Sequence, residues 1–457
     1  MNQTIVFFLL LVVNGICLAK AIDTSTCSCT CCSGSGCKPA FQGAFPLDSC
    51  FIMRCMELCS AKYAACPLFG SGGHLGAHPK KSSPEITTII SSTSTSESTL
   101  PSTTTSASTP TSAPTTITTQ KFAWLNTGDM NFARHEHTAS LLPDGKVLVT
   151  GGTENMSIQN AAELYDPSTG LWTTTGVMND IRKGHIAVVL KSGKVLVAGG
   201  YNENAYLNTA ELYDPLTGMW TMTGSMNDAR NFAAASILEN GKVLICGGNN
   251  ANNILNTAEL YDPSGDLWTA TRNMHYARNG HTASLLLDGH VLVTGGFSDH
   301  TYLDSTEFFD SSTESWIIAY TMHFKRQYHI AIVLSNGKVL VTGGSFGGTT
   351  QDTAELYDPV KDLWDKAGTM IHKRHNHVGI LLKNGEALVS GGSDGIHALK
   401  SAELYNPSTR MWKSAGDMNY KREFHAVSRL TDGRVLMIGG FYGDADLSST
   451  ELYNPEF

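Results

Sequence analysis

The stretch DGKVLVTGG, residues 144–152, decides the fold, because the chain contains it in seven variants at a constant spacing of 48 residues. The other copies are SGKVLVAGG (192–200), NGKVLICGG (240–248), DGHVLVTGG (288–296), NGKVLVTGG (336–344), NGEALVSGG (384–392) and DGRVLMIGG (432–440). Residues 122–457 hold seven units of 48 residues with none left over. A fixed period of this length is typical of repeat architectures, in which each copy is one supersecondary unit.

One unit predicts four short antiparallel strands. The first strand pattern is followed by Asp144 and Gly145, a tight hairpin signal that we interpret as a type I′ turn. A continuous apolar run comes next and predicts a strand buried on both faces, which Gly151 and Gly152 end. The four strand patterns are HTASLL, KVLVT, AELYDP and LWTTT. Four antiparallel strands per unit make one blade of a β-propeller.

The two ends of the repeat region predict how the ring of blades closes. The region begins with a fourth-strand sequence, FAWLNTGDM at 122–130, and ends after a third-strand sequence, ELYNPEF at 451–457. We therefore expect the first strand to complete the last blade. This closure removes the open sheet edge and gives seven blades.

Large side chains recur with the same period, and we interpret them as the core between blades. They are Trp at 124, 172, 220, 268, 316, 364 and 412, Met at 130, 178, 226, 274, 322, 370 and 418, and Tyr at 165, 213, 261, 357, 405 and 453, with Phe309 in the remaining position. Paired Gly after an apolar strand, then Tyr, then Trp seven residues later, resembles the motif of the kelch-repeat family, which includes galactose oxidase-type propellers. The resemblance covers about three-quarters of the chain and implies an all-β, seven-bladed propeller.

Composition divides the chain into four segments. Residues 1–19 are apolar and end in small residues, which predicts a signal peptide, with an uncleaved anchor as the alternative. Residues 20–81 are rich in cysteine, and residues 82–120 are a Ser/Thr/Pro-rich linker that we expect to be a disordered, mucin-like stalk. Residues 121–457 are the propeller. We expect a secreted protein without a membrane span in its mature chain.

The cysteine-rich segment predicts a small disulfide module, with a zinc site as the weaker alternative. Because its nine cysteines are an odd number, one thiol stays free, pairs with Cys246, which we disfavour because Cys246 lies in a repeated apolar strand, or pairs with another chain, which would give a covalent homodimer. These residues are Cys27, Cys29, Cys31, Cys32, Cys37, Cys50, Cys55, Cys59 and Cys66.

A charged series also follows the period. Its members are Arg134, Arg182, Arg230, Arg278, Arg326, Arg374 and Arg422, and Glu163, Glu211, Glu259, Glu307, Glu355, Glu403 and Glu451. Three residues after each Arg stands His, at 137, 185, 281, 329, 377 and 425, with Ala233 as the exception. The pattern predicts one structural Arg–Glu ion pair per blade. A ring of Arg and His that binds an anion or a metal is the alternative.

The two faces of the predicted propeller differ in sequence. The loops between the second and third strands vary most between units, whereas the turns at the other face are nearly identical, and binding usually lies on variable loops. The residue before the repeated Arg is Lys in three consecutive units and apolar in the other four. The candidate ligand-binding residues are Lys325, Lys373, Lys421, His323 and His375, and the sequon at Asn155 is a candidate glycosylation site.

These features predict a non-enzymatic binding protein for an extracellular protein or glycan, without a metal or cofactor. The net charge of −9 gives no sign of a nucleic-acid ligand. The alternative is a secreted propeller enzyme, copper-oxidase-like or glycosidase-like. A copper-oxidase Tyr–Cys cross-link would need a cysteine in the repeat region, where only Cys246 stands, and DPSTGLW does not match the Asp-box of sialidases.

Overall fold

The computed structural model describes residues 124–455 in full, together with the backbone of Ala123 and of four strands near the N-terminus. The chain divides into two compact units, Met1–Thr116 and Ile117–Phe457. In the first unit, an antiparallel sheet joins its strands in sequence order, Phe7–Val12, Gly15–Ala21, Thr26–Ser33 and Ala40–Pro46. The predicted disulfides, the covalent homodimer, the zinc alternative and the stalk rest on residues or side chains outside the described part.

The second unit consists of seven four-stranded antiparallel sheets, the blades, whose strands we call a to d in sequence order. Strands a are Thr138–Leu141, Ile186–Val189, Ala234–Ile237, Thr282–Leu285, Ile330–Val333, Val378–Leu381 and Ala426–Arg429. Strands b are Val147–Thr150, Val195–Ala198, Val243–Cys246, Val291–Thr294, Val339–Thr342, Ala387–Ser390 and Val435–Ile438. Strands c are Ala162–Asp166, Ala210–Asp214, Ala258–Asp262, Thr306–Asp310, Thr353–Asp358, Ser401–Asn406 and Thr450–Asn454. Strands d are Leu171–Thr174, Met219–Met222, Leu267–Ala270, Ser315–Ala319, Leu363–Thr369, Met411–Asp417 and, for blade 7, Ala123–Asn126.

The ring closes as the sequence predicts. The strand Ala123–Asn126 pairs with Thr450–Asn454, so the start of the propeller supplies the outer strand of the last blade. Each strand a contacts the strands a of both neighbouring blades, and this inner ring includes the contact between blades 7 and 1. The seven-bladed all-β propeller is therefore confirmed. The described residues include no helix that could cross a membrane.

The core lies between the faces of adjacent blades. All four residues of every strand b are buried, which agrees with their continuous apolar sequence. In each blade the repeated Tyr of strand c, or Phe309 in blade 4, packs at a tilt against the repeated Trp of strand d, as in Tyr213 and Trp220, whose ring centroids are 5.1 Å apart. The indole N–H of Trp220 donates to the carbonyl of Gly176 in the preceding blade at 2.8 Å. The aromatic series thus joins blades as well as filling the space between them.

The paired glycines end strand b because two neighbouring backbones approach them closely. A Cβ added to Gly151 would lie 2.4 Å from the carbonyl oxygen of Arg182 in the next blade. A Cβ on Gly152 would lie 2.6 Å from the carbonyl oxygen of His135 in its own blade. Both glycines also have positive φ, 61° and 94°. The motif therefore sets the distance between one blade and the next.

The turn between strands a and b differs from the predicted type I′ turn. Only Gly145 has positive φ, 88°, whereas a type I′ turn would also need it at Asp144. The amide of Leu142 donates to the carbonyl of Lys146 at 2.8 Å, so the loop has three residues, 143–145. This is the three-residue hairpin loop that ends in a left-handed glycine. Asp144 stabilises it by accepting the amide of Lys146 at 3.0 Å.

Candidate functional site

The two faces of the propeller carry different loops. The face with the a–b and c–d turns, here the lower face, repeats the same short turns around the ring. The upper face carries the b–c loops and the d–a loops. The b–c loops form two-stranded hairpins in blades 1, 4, 5 and 7, and single bridges close them in blades 2, 3 and 6. The variable sequences therefore lie together on one face.

Buried Arg–Glu pairs anchor the d–a loops of the upper face. Each repeated Arg contacts the repeated Glu of its own blade, with N–O distances of 2.7 to 2.9 Å. In blade 1, Arg134 also donates to the carbonyls of Gly151 and Ala161 at 2.8 and 3.0 Å. The second oxygen of Glu163 accepts the amide of Asn131 in the d–a loop at 2.7 Å. Each pair thus joins strand b, strand c and one upper-face loop.

Both members of the pair are almost inaccessible to solvent, with at most 1% of each side chain exposed. Burial lowers the pKa of Arg134, Arg278, Arg326, Arg374 and Arg422, and the partner carboxylate opposes that shift. The arginine N–H groups that donate to the carboxylate and to the two carbonyls have their acceptors within the same blade, so they are not available to a ligand. The predicted structural pairing is what the geometry shows in all seven blades.

The repeated histidines are largely buried beside the inner strands. In blade 2, Nε2 of His185 lies 3.0 Å from the hydroxyl of Thr138 and 3.2 Å from that of Thr150 in blade 1. Burial, followed by the charges of Arg182 and Arg134, lowers the pKa of His185 to about 3, so the imidazole is neutral. A ring of neutral imidazoles provides little attraction for an anion, which disfavours the predicted anion alternative.

A second ring lies two residues after each repeated Arg and was not identified from the sequence. All seven of its residues have positive φ, between 51° and 62°, although only two are glycine. Backbone amides donate to the carbonyl of the preceding blade at six of the seven junctions, at 2.8 to 3.3 Å. We call this ring the axial collar, and its members are Glu136, Gly184, Phe232, Gly280, Tyr328, Asn376 and Phe424. Strained non-glycine residues of this kind often cluster at functional sites.

Two depressions lie on the upper face. One, of about 270 Å³, lies at the axial collar and includes Phe232, Asn376 and Phe424 among its lining residues. The other, of about 490 Å³, lies between the b–c loops of blades 3 and 4. We call it the blade 3–4 groove, and it is lined by Asn253, Ile254, Leu255, Asn256, His275, Tyr276, Ala277, Ser298 and Asp299.

The three predicted lysines lie on the upper face of blades 5, 6 and 7. Lys373 is exposed, and Lys325 and Lys421 are partly exposed. Within the described residues, no carboxylate oxygen is within 4.0 Å of any of the three amines. The ammonium of Lys421 lies 5.6 Å from the centroid of Tyr442. The lysines are therefore available to a ligand, whereas the neighbouring arginines are not.

The predicted histidines of this region already have contacts. Nδ1 of His323 lies 2.8 Å from the carboxylate of Glu355, where Asn131 stands in blade 1 with the same contact to Glu163. Nδ1 of His375 lies 3.0 Å from the hydroxyl of Thr350. Burial lowers the pKa of His375. Both residues support loops, so the three lysines remain the stronger ligand candidates.

Comparison with known proteins assigns the repeat to a family. The family profile named Attractin/LZTR1 beta-propeller matches residues 103–354, more than half of the chain. The chain belongs to this family. The match to the Attractin/LZTR1 beta-propeller ends within blade 5, so Lys373 and Lys421 lie beyond it.

A solved structure with a similar propeller is a "novel fungal alcohol oxidase with catalytic diversity among the AA5 family, in complex with copper". It is 15% identical in sequence, the TM-score is 0.61, and the alignment covers 73% of this chain and 76% of the oxidase chain. A likeness at this identity shows the fold alone. No curated protein matches the sequence significantly. In this Attractin/LZTR1-type propeller, residues 124–455 contain no group of three His, Cys, Asp or Glu side chains that could hold a metal ion.

Proposed function

We propose that this protein is secreted and non-enzymatic, and that its propeller binds an extracellular protein or glycan through the upper face. The observation that carries the proposal is the contrast between the faces. The lower-face turns keep the same length and backbone form around the ring, whereas the upper-face loops differ in sequence, hairpin form and charge. Diversified loops on a rigid frame are the usual arrangement of a recognition surface.

The frame holds these loops in place before any ligand arrives. Each d–a loop is attached through a buried carboxylate, as Asn131 and Phe132 are through Glu163 at 2.7 and 3.1 Å. Each b–c loop is bridged to the residue after the repeated Arg, as Thr153 is to His135. Loops that are ordered in the free protein lose less conformational entropy on binding, which favours affinity.

Three lysines mark one sector of the upper face as the proposed site. Residues 121–457 carry 26 Lys and Arg and 36 Asp and Glu, a net charge of −10. Against this acidic background, Lys325, Lys373 and Lys421, whose amines have no ion pair within residues 124–455, occupy one sector of the upper face. They would steer and orient an acidic region of the ligand.

The proposal is tested with the full chain produced in a secretory host. Binding is measured against panels of extracellular proteins and glycans. Upper-face variants replace one b–c tip each, at 154–157, 250–253 or 346–349, with Gly-Ser-Gly-Ser. Lower-face controls are Leu216→Ser and Val360→Ser, whose side chains are each 94% exposed.

We expect the protein in the medium, and we expect at least one tip replacement to weaken ligand binding by about tenfold or more. The lower-face controls should bind as the parent does. Retention inside the cell would contradict secretion, and loss of binding only in the lower-face variants would contradict the assigned face.

A further inference from the structure

We propose that Asn155 carries an N-linked glycan that stands over the seam between blades 1 and 7, so that ligands reach the upper face over blades 3 to 5. The inference rests on the proposed secretion, because this modification occurs on exported chains. It adds a covalent modification site and a shielded sector to the upper face, and neither depends on the three lysines.

The sequon lies at the tip of an upper-face hairpin. Asn155, Met156 and Ser157 form the acceptor pattern N-x-S, and no other N-x-S/T without proline occurs after residue 19. The hairpin consists of Thr153–Glu154 and Ser157–Ile158, and all three sequon residues are exposed. The acceptor amide is thus on the outside of the folded blade.

The hairpin does not depend on the side chain of Asn155 for its conformation. Asn155 and Met156 have positive φ, 48° and 66°, as in a two-residue type I′ turn, so the backbone alone defines the tip. The backbone amide of Asn155 donates to Asp446, whereas no hydrogen bond of the Asn155 side chain is found among the described residues. Modification of the side-chain nitrogen would therefore break no contact of the fold.

The chemistry is a group transfer from a lipid-pyrophosphate-linked oligosaccharide. A bond forms between Nδ2 of Asn155 and C1 of the first sugar as the bond between C1 and the pyrophosphate oxygen breaks. The lipid pyrophosphate leaves with the electron pair of the broken bond, and the proton that the amide nitrogen loses passes to the solvent. The hydroxyl at the third position, here Ser157, is part of the acceptor pattern.

Two contacts hold the attachment point at the seam. The backbone amide of Asn155 donates to Oδ2 of Asp446 in blade 7 at 2.7 Å. Oδ1 of the same carboxylate contacts Nδ1 of His135, the blade 1 residue bridged to Thr153. The base of the glycan would therefore be fixed over blades 7 and 1, close to the hairpin Phe441–Tyr442 and Ala445–Asp446.

The opposite side of the ring is open. In a seven-bladed ring, the blade facing the seam between blades 7 and 1 is blade 4. The blade 3–4 groove, of about 490 Å³, lies beside it, and its lining includes the amides of Asn253 and Asn256, the exposed Tyr276 and the carboxylate of Asp299. A bulky glycan at the seam would leave this groove and Lys325 accessible, while it narrows the access to Lys421 from the side of blade 1.

The experiment compares Ser157→Ala, which removes the sequon, with Ser157→Thr, which keeps it. Both variants retain Asn155 and its turn. The full chain is collected from the medium of a secretory host, and the peptide containing Asn155 is analysed by mass spectrometry before and after enzymatic release of N-glycans. Amine acylation of folded protein then reports the accessibility of Lys421 and Lys325.

We expect a glycan on Asn155 in the parent and in Ser157→Thr, and none in Ser157→Ala. Acylation of Lys421 should rise by about threefold or more in Ser157→Ala, while that of Lys325 stays within error. Secreted parent protein with unmodified Asn155 would overturn the inference and leave the proposed function standing. Equal acylation of Lys421 in the two variants would overturn the shielding, whereas absence of the protein from the medium would overturn both proposals.

Discussion

Trp124, in the first strand of the propeller, lies directly opposite Tyr453, in the last, and their ring centroids are 5.0 Å apart. The indole N–H of Trp124 also donates to the carbonyl of Ala415 in blade 6 at 2.9 Å. The first strand therefore completes blade 7, and its residue Trp124 joins blade 7 to blade 6.

Deletion of residues 121–133 should destabilise the propeller strongly. The deletion removes the outer strand of blade 7 with Trp124, and it removes Met130 from the core that blades 7 and 1 share. The exposed sheet edge should also promote aggregation. Thermal unfolding and light scattering test this, with an equally long deletion inside 82–120 as the control. An unchanged melting temperature in the propeller deletion would exclude a stabilising role for the closure.

Substitution of the neighbouring residues 325 and 326 should change the free energy of unfolding by very different amounts. Arg326→Ala removes the buried cation that pairs with the carboxylate of Glu355 and should lower the free energy of unfolding by about 3–5 kcal/mol. Lys325→Ala removes a partly exposed amine that has no ion pair in the described part of the chain, and should change it by less than about 0.5 kcal/mol. Urea unfolding of both variants is the measurement. A small effect at Arg326 would show that the buried pair does not hold the blade.

The buried imidazoles should make the propeller sensitive to acid. The pKa of His185 is about 3 in the folded protein, because of burial and then Arg182, against 6.5 when unfolded. Between these values only the unfolded chain binds the proton, so stability is lost as pH falls below 6.5. His185 alone should contribute a loss of about 2 kcal/mol between pH 7 and pH 5.

The comparison of His185→Ala with Thr150→Val isolates this contribution. The native Ala233 in the same position of blade 3 indicates that the fold accepts alanine there. His185→Ala should show a smaller drop in stability between the two pH values than the parent. Thr150→Val removes a contact of the same imidazole, which lies 3.2 Å away, but keeps the titrating group. It should keep the parent's pH dependence, and equal pH dependence in all three proteins would refute the assignment.

Two triple variants with the same charge change should separate binding from general electrostatics. Changing Lys325, Lys373 and Lys421 to Gln should weaken binding of an acidic ligand by about tenfold at low salt. The control changes Lys194, Lys242 and Lys338 to Gln on the lower face, where each lysine contacts an Asp within 3.5 Å. The difference in affinity between the triple variants should shrink at high ionic strength. Equal affinities at low salt would remove the lysines from the site.

The periodic features could be predicted from the sequence because a residue that recurs every 48 positions has the same neighbours in each blade. The closing strand, the core Trp and Tyr, and the pairing of Arg134 with Glu163 all follow from that period. The turn type could not be predicted, because Asp144–Gly145 fits both a two-residue type I′ turn and a three-residue loop. Only the hydrogen bond between the backbones of Leu142 and Lys146 distinguishes the two.

Features without a shared residue type were not predictable from the sequence. The axial collar contains Glu136, Phe232 and Asn376 at equivalent positions, so its common property is the backbone conformation rather than the side chain. His323 was predicted as a ligand residue because it stands near the lysines. Its contact with Glu355 depends on a side chain 32 positions away, and the position is occupied by Asn in four blades, by His in two and by Ile in one, so no single residue type marks the contact.

The most direct test of the account is hydrogen–deuterium exchange of the full chain with and without its ligand. If the upper face is the recognition surface, the ligand should protect amides in the d–a loops and the b–c loops of that face. The lower-face turns, such as 143–145 and 167–170, should exchange as in the free protein. Protection confined to the lower-face turns would contradict the account.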